Sequence, residues 1–221
     1  MVEPSAARRS PETFAARTTP PARAADQPGG GRPCSAAHAG FLATPLRRLV
    51  HDPRRVLAGL ALPGDTVIDI GCGPGYFTLP LAKAVGPSGR VVAVDLQPAM
   101  LEQVRARAER AGLAPRVELR PCSAETLGEL PVADAALAFA VVHELPDVAR
   151  FCGEVAAVLR PGGRLLVVEP RGHVSAAAFA ATLALAAAAG LLQVAAPRAR
   201  AGGTPRHRRP PTAPFGSAAV G

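Results

Sequence analysis

The chain has no tryptophan, one tyrosine and only 4% aromatic residues over 221 positions. A core built on stacked rings is therefore excluded, and Ala, Val and Leu must fill it. Hydrophobic residues at 48% are enough for one α/β domain of ordinary size, and the length hardly allows two. Cysteine is sparse: Cys34, Cys72, Cys122 and Cys152 are far apart and form no C-x-x-C pair. That spacing excludes a disulfide framework and the usual zinc site, and it fits a reducing, cytoplasmic setting. The N-terminus lacks the apolar run of a secretory signal. The longest uncharged stretch, Val174 to Ala196, is long enough to span a bilayer. It is mostly Ala and is interrupted by Ser175, Thr182, Gly190 and Gln193. We read it as a helix, a turn at Gly190 and a short strand, not as a membrane span.

Acid is missing where the positive charge accumulates. Residues 1–59 carry nine Arg against four acids, and residues 191–221 carry five Arg and no acid. Residues 60–190 hold ten Arg, one Lys and thirteen acids, so the middle is slightly acidic although the whole chain is +8. A basic domain face for nucleic acid is unsupported, and no nucleic-acid partner is expected.

Residues 1–32 are rich in Pro, Ala, Arg, Gly and Ser without periodicity and read as disordered. Residues 33–60 read as a helical cap. Thr44-Pro45 opens one short helix and Asp52-Pro53 a second, over Arg54–Leu60. From residue 61 to 196 the pattern alternates. Strands are expected at Thr66–Ile70, Arg90–Val94, Val117–Leu119, Ala135–Ala140 and Leu165–Val168. Helices are expected at Tyr76–Val85, Pro98–Ala111, Pro146–Leu159 and Val174–Ala189, with a last short strand over Leu191–Ala196. Apolar strands alternating with helices of this length indicate a three-layer α/β/α, Rossmann-like, doubly wound and mostly parallel sheet.

The densest chemistry is Asp69-Ile70-Gly71-Cys72-Gly73-Pro74-Gly75, which follows a strand and opens a helix. Glycines there allow a sharp turn and close approach of a ligand to the backbone, and the helix start offers free N–H groups. The spacing is G-x-G-x-G with Tyr76 where a dinucleotide fingerprint needs Gly, and no G-K-[ST] follows, so a P-loop is excluded. Asp95, twenty residues after Gly75, ends the next strand, where a carboxylate can accept hydrogen bonds from a ribose diol. Asp69 would repel a pyrophosphate but attract an ammonium. The pair favours a ligand with a ribose and a cationic amino-acid part over NAD.

These residues resemble the class I S-adenosylmethionine-dependent methyltransferases, in their ubiquinone/menaquinone-biosynthesis-like branch. The resemblance rests on VIDIGCGPGYFTLPLAKAVGPSGRVVAVDLQPAMLEQVRARA and, downstream, VLRPGGRLLVVEP, and it covers about residues 60–195. It implies S-adenosylmethionine as cofactor and a small-molecule or lipid-like methyl acceptor. By the same resemblance Asp69, Gly71, Gly73 and Gly75, with Cys72 among them, would hold the methionine end. Asp95 would take the ribose hydroxyls and Leu96 the adenine, with Ser123, Ala124 and Glu125 at the adenine's edge. Phe139 and Ala140 would face the sulfonium, and Val141-Val142-His143-Glu144-Leu145 would line the methyl-transfer site. The rival from another class is a cofactor-binding regulatory or interaction protein without turnover.

Methyl transfer needs a general base only where the acceptor must lose a proton, and His143 is the best-placed candidate. Its bland alternative is a hydrogen bond at a strand end. Glu144 is expected to cap the helix near Pro146, and Glu169 either to contact substrate or to pair with Arg171. Cys72 and Cys122 would be hidden by the cofactor and Cys152 lies in a core helix, so thiol-held arsenic chemistry is not expected. No metal site is expected. The usual nucleobase-amino motif, Asn/Asp-Pro-Pro-aromatic, is absent at Ala140-Val141-Val142-His143. Residues 197–221 read as a basic, disordered tail, and no strand-like run follows Pro197. The sheet is therefore expected to lack the family's antiparallel seventh strand, leaving an open edge through which a homodimer could form.

Overall fold

In the computed structural model, residues 52–169, 174–195 and 206–208 are described. The expected disordered segment, the first short helix opened by Thr44-Pro45 and Arg171 lie outside those residues, as does the tail apart from 206–208. The elements, in chain order, are α1 Pro53–Val56, β1 Thr66–Ile70, α2 Thr78–Ala84, β2 Arg90–Asp95, α3 Pro98–Arg110, β3 Val117–Pro121, β4 Ala133–Phe139, α4 Val148–Val158, β5 Leu159–Val168, α5 Ala176–Ala188, β6 Leu192–Ala195 and β7 Arg206–Arg208. They build one sheet in the order β3-β2-β1-β4-β5-β7-β6. Strands β1 to β5 are mutually parallel where they pair, and β7 runs antiparallel to both β5 and β6.

Strand periodicity explains the two covered faces. Val67, Val91, Ala135, Leu137 and Leu166 share a core with Tyr76, Phe77 and Leu81 around α2, while Leu101 and Val104 of α3 pack on Ala93. The residues between them, Ile68, Ile70, Val92, Ala136, Ala138, Leu165 and Val167, face α4 and α5 through Phe151, Cys152, Val155 and Ala186. Alternate side chains point to opposite faces, so a sheet covered on both sides needs nearly continuous apolar strands. VIDI, VVAVD and AALAF supply them without an aromatic-rich core.

Several boundaries differ from expectation for local reasons. Helix α2 begins at Thr78, not Tyr76, since the glycine loop keeps positive φ as far as Gly75 and Phe77 is the helix's N-cap. Helix α4 begins at Val148: Asp147, not Glu144, is its N-cap, its side chain accepting from Arg150 N–H at 2.9 Å. Pro161-Gly162-Gly163 falls inside the bounds of β5, where pairing with β4 skips from Leu159↔Ala133 to Arg164↔Ala135. The gap between the expected helix Pro146–Leu159 and the expected strand Leu165–Val168 is thus an irregularity within one strand.

The sheet edge also differs. Instead of an open edge, Arg206–Arg208 pairs with Arg164–Leu166 on one side and with β6 on the other. A seventh strand is present, three residues long. Arg-His-Arg carries no apolar run, which is why sequence pattern does not reveal it. What it supplies is backbone donors and acceptors to an exposed edge, and that needs no particular side chain. The edge on which the homodimer expectation rests is occupied at these positions. Truncation after Ala196 should therefore leave β6 without its sheet partner and reopen β5. We expect a loss of about 1 kcal/mol or more, roughly 2–4 °C in melting temperature per kcal/mol. Concentration-dependent association in light scattering should accompany it. Unchanged melting and scattering would show that β7 adds nothing to the edge.

Candidate functional site

Open parallel sheets bind ligands beyond the carboxyl ends of their strands, where strand order reverses. Here that place lies between β1 and β4, with β2 alongside. The loop leaving β1 has three glycines at positive φ, Gly71 at 64°, Gly73 at 51° and Gly75 at 83°, a region L-residues seldom enter. Their surroundings differ. A Cβ on Gly71 would lie 2.5 Å from Val141 Cγ2, and one on Gly75 would lie 3.1 Å from both Leu79 and Val104. A Cβ on Gly73 would meet nothing within 4 Å. Gly71 and Gly75 therefore serve packing, and Gly73 presents bare backbone to open space.

The loop is held from several sides. Cys72 N–H donates to Val94 O at 3.0 Å, and Gly75 N–H donates to Cys72 O at 3.1 Å. Arg107 of α3 donates through Nη1 to Pro74 O at 2.5 Å. Asp95, buried at the end of β2, accepts from Gly73 N–H at 2.8 Å through one oxygen and from Gln97 N–H at 2.8 Å through the other. Burial raises the Asp95 pKa, against the lowering effect of those two bonds. Asp69 is 2% exposed and accepts from Thr78 Oγ1 at 2.6 Å. Its first observable task is thus to tie β1 to the first turn of α2. The sequence reading missed Thr78 and Arg107; the spacing of Thr78, nine residues after an acid at a strand end, is too common a pattern to single out.

Cys72 is buried, and burial with Asp69 and Asp95 nearby pushes its thiol up. Burial, followed by Asp95, pushes the Cys122 thiol up to about 11. Neither thiol has the lowered pKa of a reactive or metal-holding cysteine. Among the described residues no group of three or more His, Cys, Asp or Glu could hold a metal ion. Leu96, next to Asp95, is an exposed large apolar side chain at 40%. Past β3, Ser123 Oγ accepts from Glu125 N–H at 3.2 Å and Thr126 N–H at 3.3 Å, so Ser123 and the exposed Ala124 sit in a tight turn. Glu154 of α4, also missed by the sequence reading, accepts from Thr126 Oγ1 and Leu127 N–H at 2.8 Å each and steadies that turn.

Phe139 at the end of β4 packs on Phe77 with ring centroids 4.5 Å apart. Ala140 follows at φ 55°, the one non-glycine positive φ among the described residues, and its N–H donates to Val168 O at 2.7 Å. This backbone reversal sends Val141 over Gly71 and starts a 3-10 turn, Val142–Glu144. His143 lies in that turn. Its Nδ1 is 2.6 Å from Glu169 Oε2, and its backbone N–H donates to Glu169 Oε1 at 3.2 Å. Of the two expectations for Glu169, the pair with Arg171 lies outside the described residues; within them Glu169 makes this bidentate hold on His143. The hydrogen bond that the ring donates to Glu169 raises the His143 pKa, opposed by burial and helped by the charges of Glu169 and Glu144.

The glycine loop, the two acids and the reversed strand order together define a Rossmann-like domain built to receive a ligand over β1, β2 and β4. The match is more specific than the architecture. The family model of the methyltransferase domain matches residues 62–196, and the chain belongs to that family. It is similar to an uncharacterised 37.1 kDa protein in a transposon of Streptomyces fradiae, 42% identical over half of this chain and 31% of the relative. It is also similar to a ubiquinone biosynthesis O-methyltransferase of Methylocella silvestris, 36% identical over 58% of this chain and 48% of the relative. An arsenite methyltransferase of Halobacterium salinarum is 37% identical over 48% of this chain and 27% of the relative. The chain spans between about a quarter and a half of the length of these curated relatives. Among solved structures, a SAM dependent methyltransferase from Aquifex aeolicus superposes with a TM-score of 0.71 at 23% identity, over 80% of this chain and 99% of that one.

Proposed function

We propose that this domain binds S-adenosylmethionine and transfers its methyl group to a small-molecule acceptor. The observation that carries the reading is the open side of Gly73 beside the Asp95 carboxylate, at the reversal of strand order. A ribose can approach the bare backbone there and donate to the remaining lone pairs of Asp95. Solved structures of the same fold include a geranyl diphosphate C-methyltransferase holding S-adenosyl-L-homocysteine, TM-score 0.57 at 20% identity, over 75% of this chain and 69% of that one.

When bound, the cofactor supplies a sulfonium-activated methyl group, so the protein's work is to bind, align and exclude water. Gly71, Cys72, Gly73 and Gly75 frame the methionine end. Asp69, through Thr78, fixes the loop's junction with α2. Asp95 receives the ribose, Leu96 covers the adenine, and Ser123 with Ala124 forms its edge. Phe139 and Ala140 place the 3-10 turn and His143 beside the reacting centre, where His143 acts on the acceptor's proton. The similarity to a ubiquinone biosynthesis O-methyltransferase and to a nocamycin O-methyltransferase supports a small acceptor. The raised thiol pKa values of the buried Cys72 and the half-buried Cys122 speak against arsenite held by thiols. Free cysteines fit a cytoplasmic setting, and among the described residues no helix is long and apolar enough to cross a membrane.

Calorimetry tests the cofactor. S-adenosylhomocysteine should bind and NADH should not. Saturating S-adenosylhomocysteine at a hundred times its dissociation constant should stabilise the fold by about 2.7 kcal/mol. Binding of NADH in its place would overturn the assignment. Transfer of labelled methyl into a small-metabolite extract, with RNA as the control acceptor, separates an enzyme from a binding protein without turnover.

A further inference from the structure

We infer that Glu169 is a positioning residue for methyl transfer, holding His143 in the one tautomer and orientation that makes its Nε2 the proton acceptor for a protic substrate. The inference rests on the methyltransferase reading and adds a residue and a substrate class to it. Glu169 directly follows β5 and His143 follows β4, so neighbouring parallel strands bring them together from 26 residues apart. The Glu169 side chain is only 5% exposed, and both of its oxygens are spent on one residue. One oxygen fixes the backbone of the 3-10 turn and the other fixes the ring. Because a carboxylate accepts, Nδ1 carries the proton and Nε2 is the basic nitrogen.

A hydrogen bond to the turn's N–H anchors the loop, whereas the ring contact selects a tautomer. Glu144 also lies beside the ring, its Oε1 3.9 Å from Nε2. Two carboxylates around one imidazole favour the imidazolium that appears when it takes a proton. In the reaction, an O–H of the acceptor breaks and its electron pair forms the bond to the methyl carbon. The carbon–sulfur bond breaks toward sulfur, and the proton passes to Nε2. An acceptor that is already an anion, such as a thiolate, has no use for this pair. The arrangement therefore selects weakly acidic hydroxyl compounds.

The test compares Glu169→Gln, Glu169→Asp and His143→Ala with the parent chain. Nitrogen-detected NMR titration reads the tautomer and pKa of His143 without any turnover. Labelled methyl incorporation from S-adenosylmethionine into a small-metabolite extract reads the rate, and calorimetry with S-adenosylhomocysteine reads the cofactor site. Glu169→Gln keeps an oxygen for the turn but loses the charge. It should lower the His143 pKa, move the acid limb of the rate profile to lower pH and reduce kcat about tenfold, less than the roughly 10²–10⁴-fold that a general base contributes outright. Cofactor affinity should not change, Glu169→Asp should recover part of the rate, and adding Glu169→Gln to His143→Ala should cost nothing further. An unchanged His143 titration in Glu169→Gln, or independent losses in the double variant, overturns the inference while leaving the cofactor assignment intact. Absent binding of S-adenosylhomocysteine by the parent chain would instead overturn the methyltransferase reading, and the base role with it.

Discussion

Gly71→Ala should cost the domain stability more than it costs any ligand affinity, and Gly73→Ala should do the reverse. Both residues have positive φ, so each alanine carries a left-handed penalty of about 1–2 kcal/mol. At Gly71 the new methyl would also meet Val141 at 2.5 Å. Val141 is held by the reversal at Ala140 and cannot retreat without dragging the end of β4, so overpacking of about 1–3 kcal/mol is added. The total, about 2–5 kcal/mol, is a large part of the 5–15 kcal/mol that stabilises an ordinary domain. It should lower the melting temperature by on the order of 10 °C. At Gly73 nothing lies within 4 Å, so only the conformational penalty applies and the fold should survive. The methyl then stands in the space proposed for the cofactor. Thermal melts and calorimetry on the two variants separate the effects. A Gly73→Ala protein that binds S-adenosylhomocysteine like the parent would mean that the ligand lies elsewhere.

The contrast shows what was legible in the sequence. The alternation of apolar runs with helical segments gives the sheet and its parallel sense, because a two-sided sheet leaves a pattern in every strand. The glycine loop and Asp95 are legible because positive φ and a carboxylate at a strand end each demand a particular residue type. The pairing of His143 with Glu169 is not, since it depends on β4 and β5 being neighbours and on the φ of Ala140. Alanine gives no warning of that conformation. Strand β7 is hidden for another reason: it contributes backbone pairing, and Arg-His-Arg has no pattern by which to announce it. Glu144 was assigned to a helix cap that Asp147 fills, since two acids three residues apart offer the same signal and only the register decides.

Asp95→Ala should abolish useful cofactor binding and weaken the loop, and Asp95→Asn should divide the two effects. The carboxylate holds Gly73 N–H and Gln97 N–H at 2.8 Å each, one oxygen per donor. Alanine leaves both donors without that partner, at about 1–3 kcal/mol for each that stays buried. It also removes the acceptor proposed for the ribose, whose hydrogen bonds to a charged group contribute about 1.5–3 kcal/mol each. The expected loss of affinity is therefore on the order of 10²–10³-fold. Asparagine keeps one acceptor and places an amide N–H₂ against the other donor, so stability should recover only in part while affinity stays low. The pH dependence has a definite sign. Burial raises the Asp95 pKa, so cofactor binding should weaken on acidification earlier than an ordinary carboxylate would allow. Stability runs the other way: between the unfolded and the raised folded pKa the native state holds more protons than the unfolded one. Folding then loses free energy as pH rises through that window. In Asp95→Asn both pH effects should vanish together. If affinity for S-adenosylhomocysteine is the same in the parent and in Asp95→Ala, the ribose is held by another group and the assignment of this strand end fails.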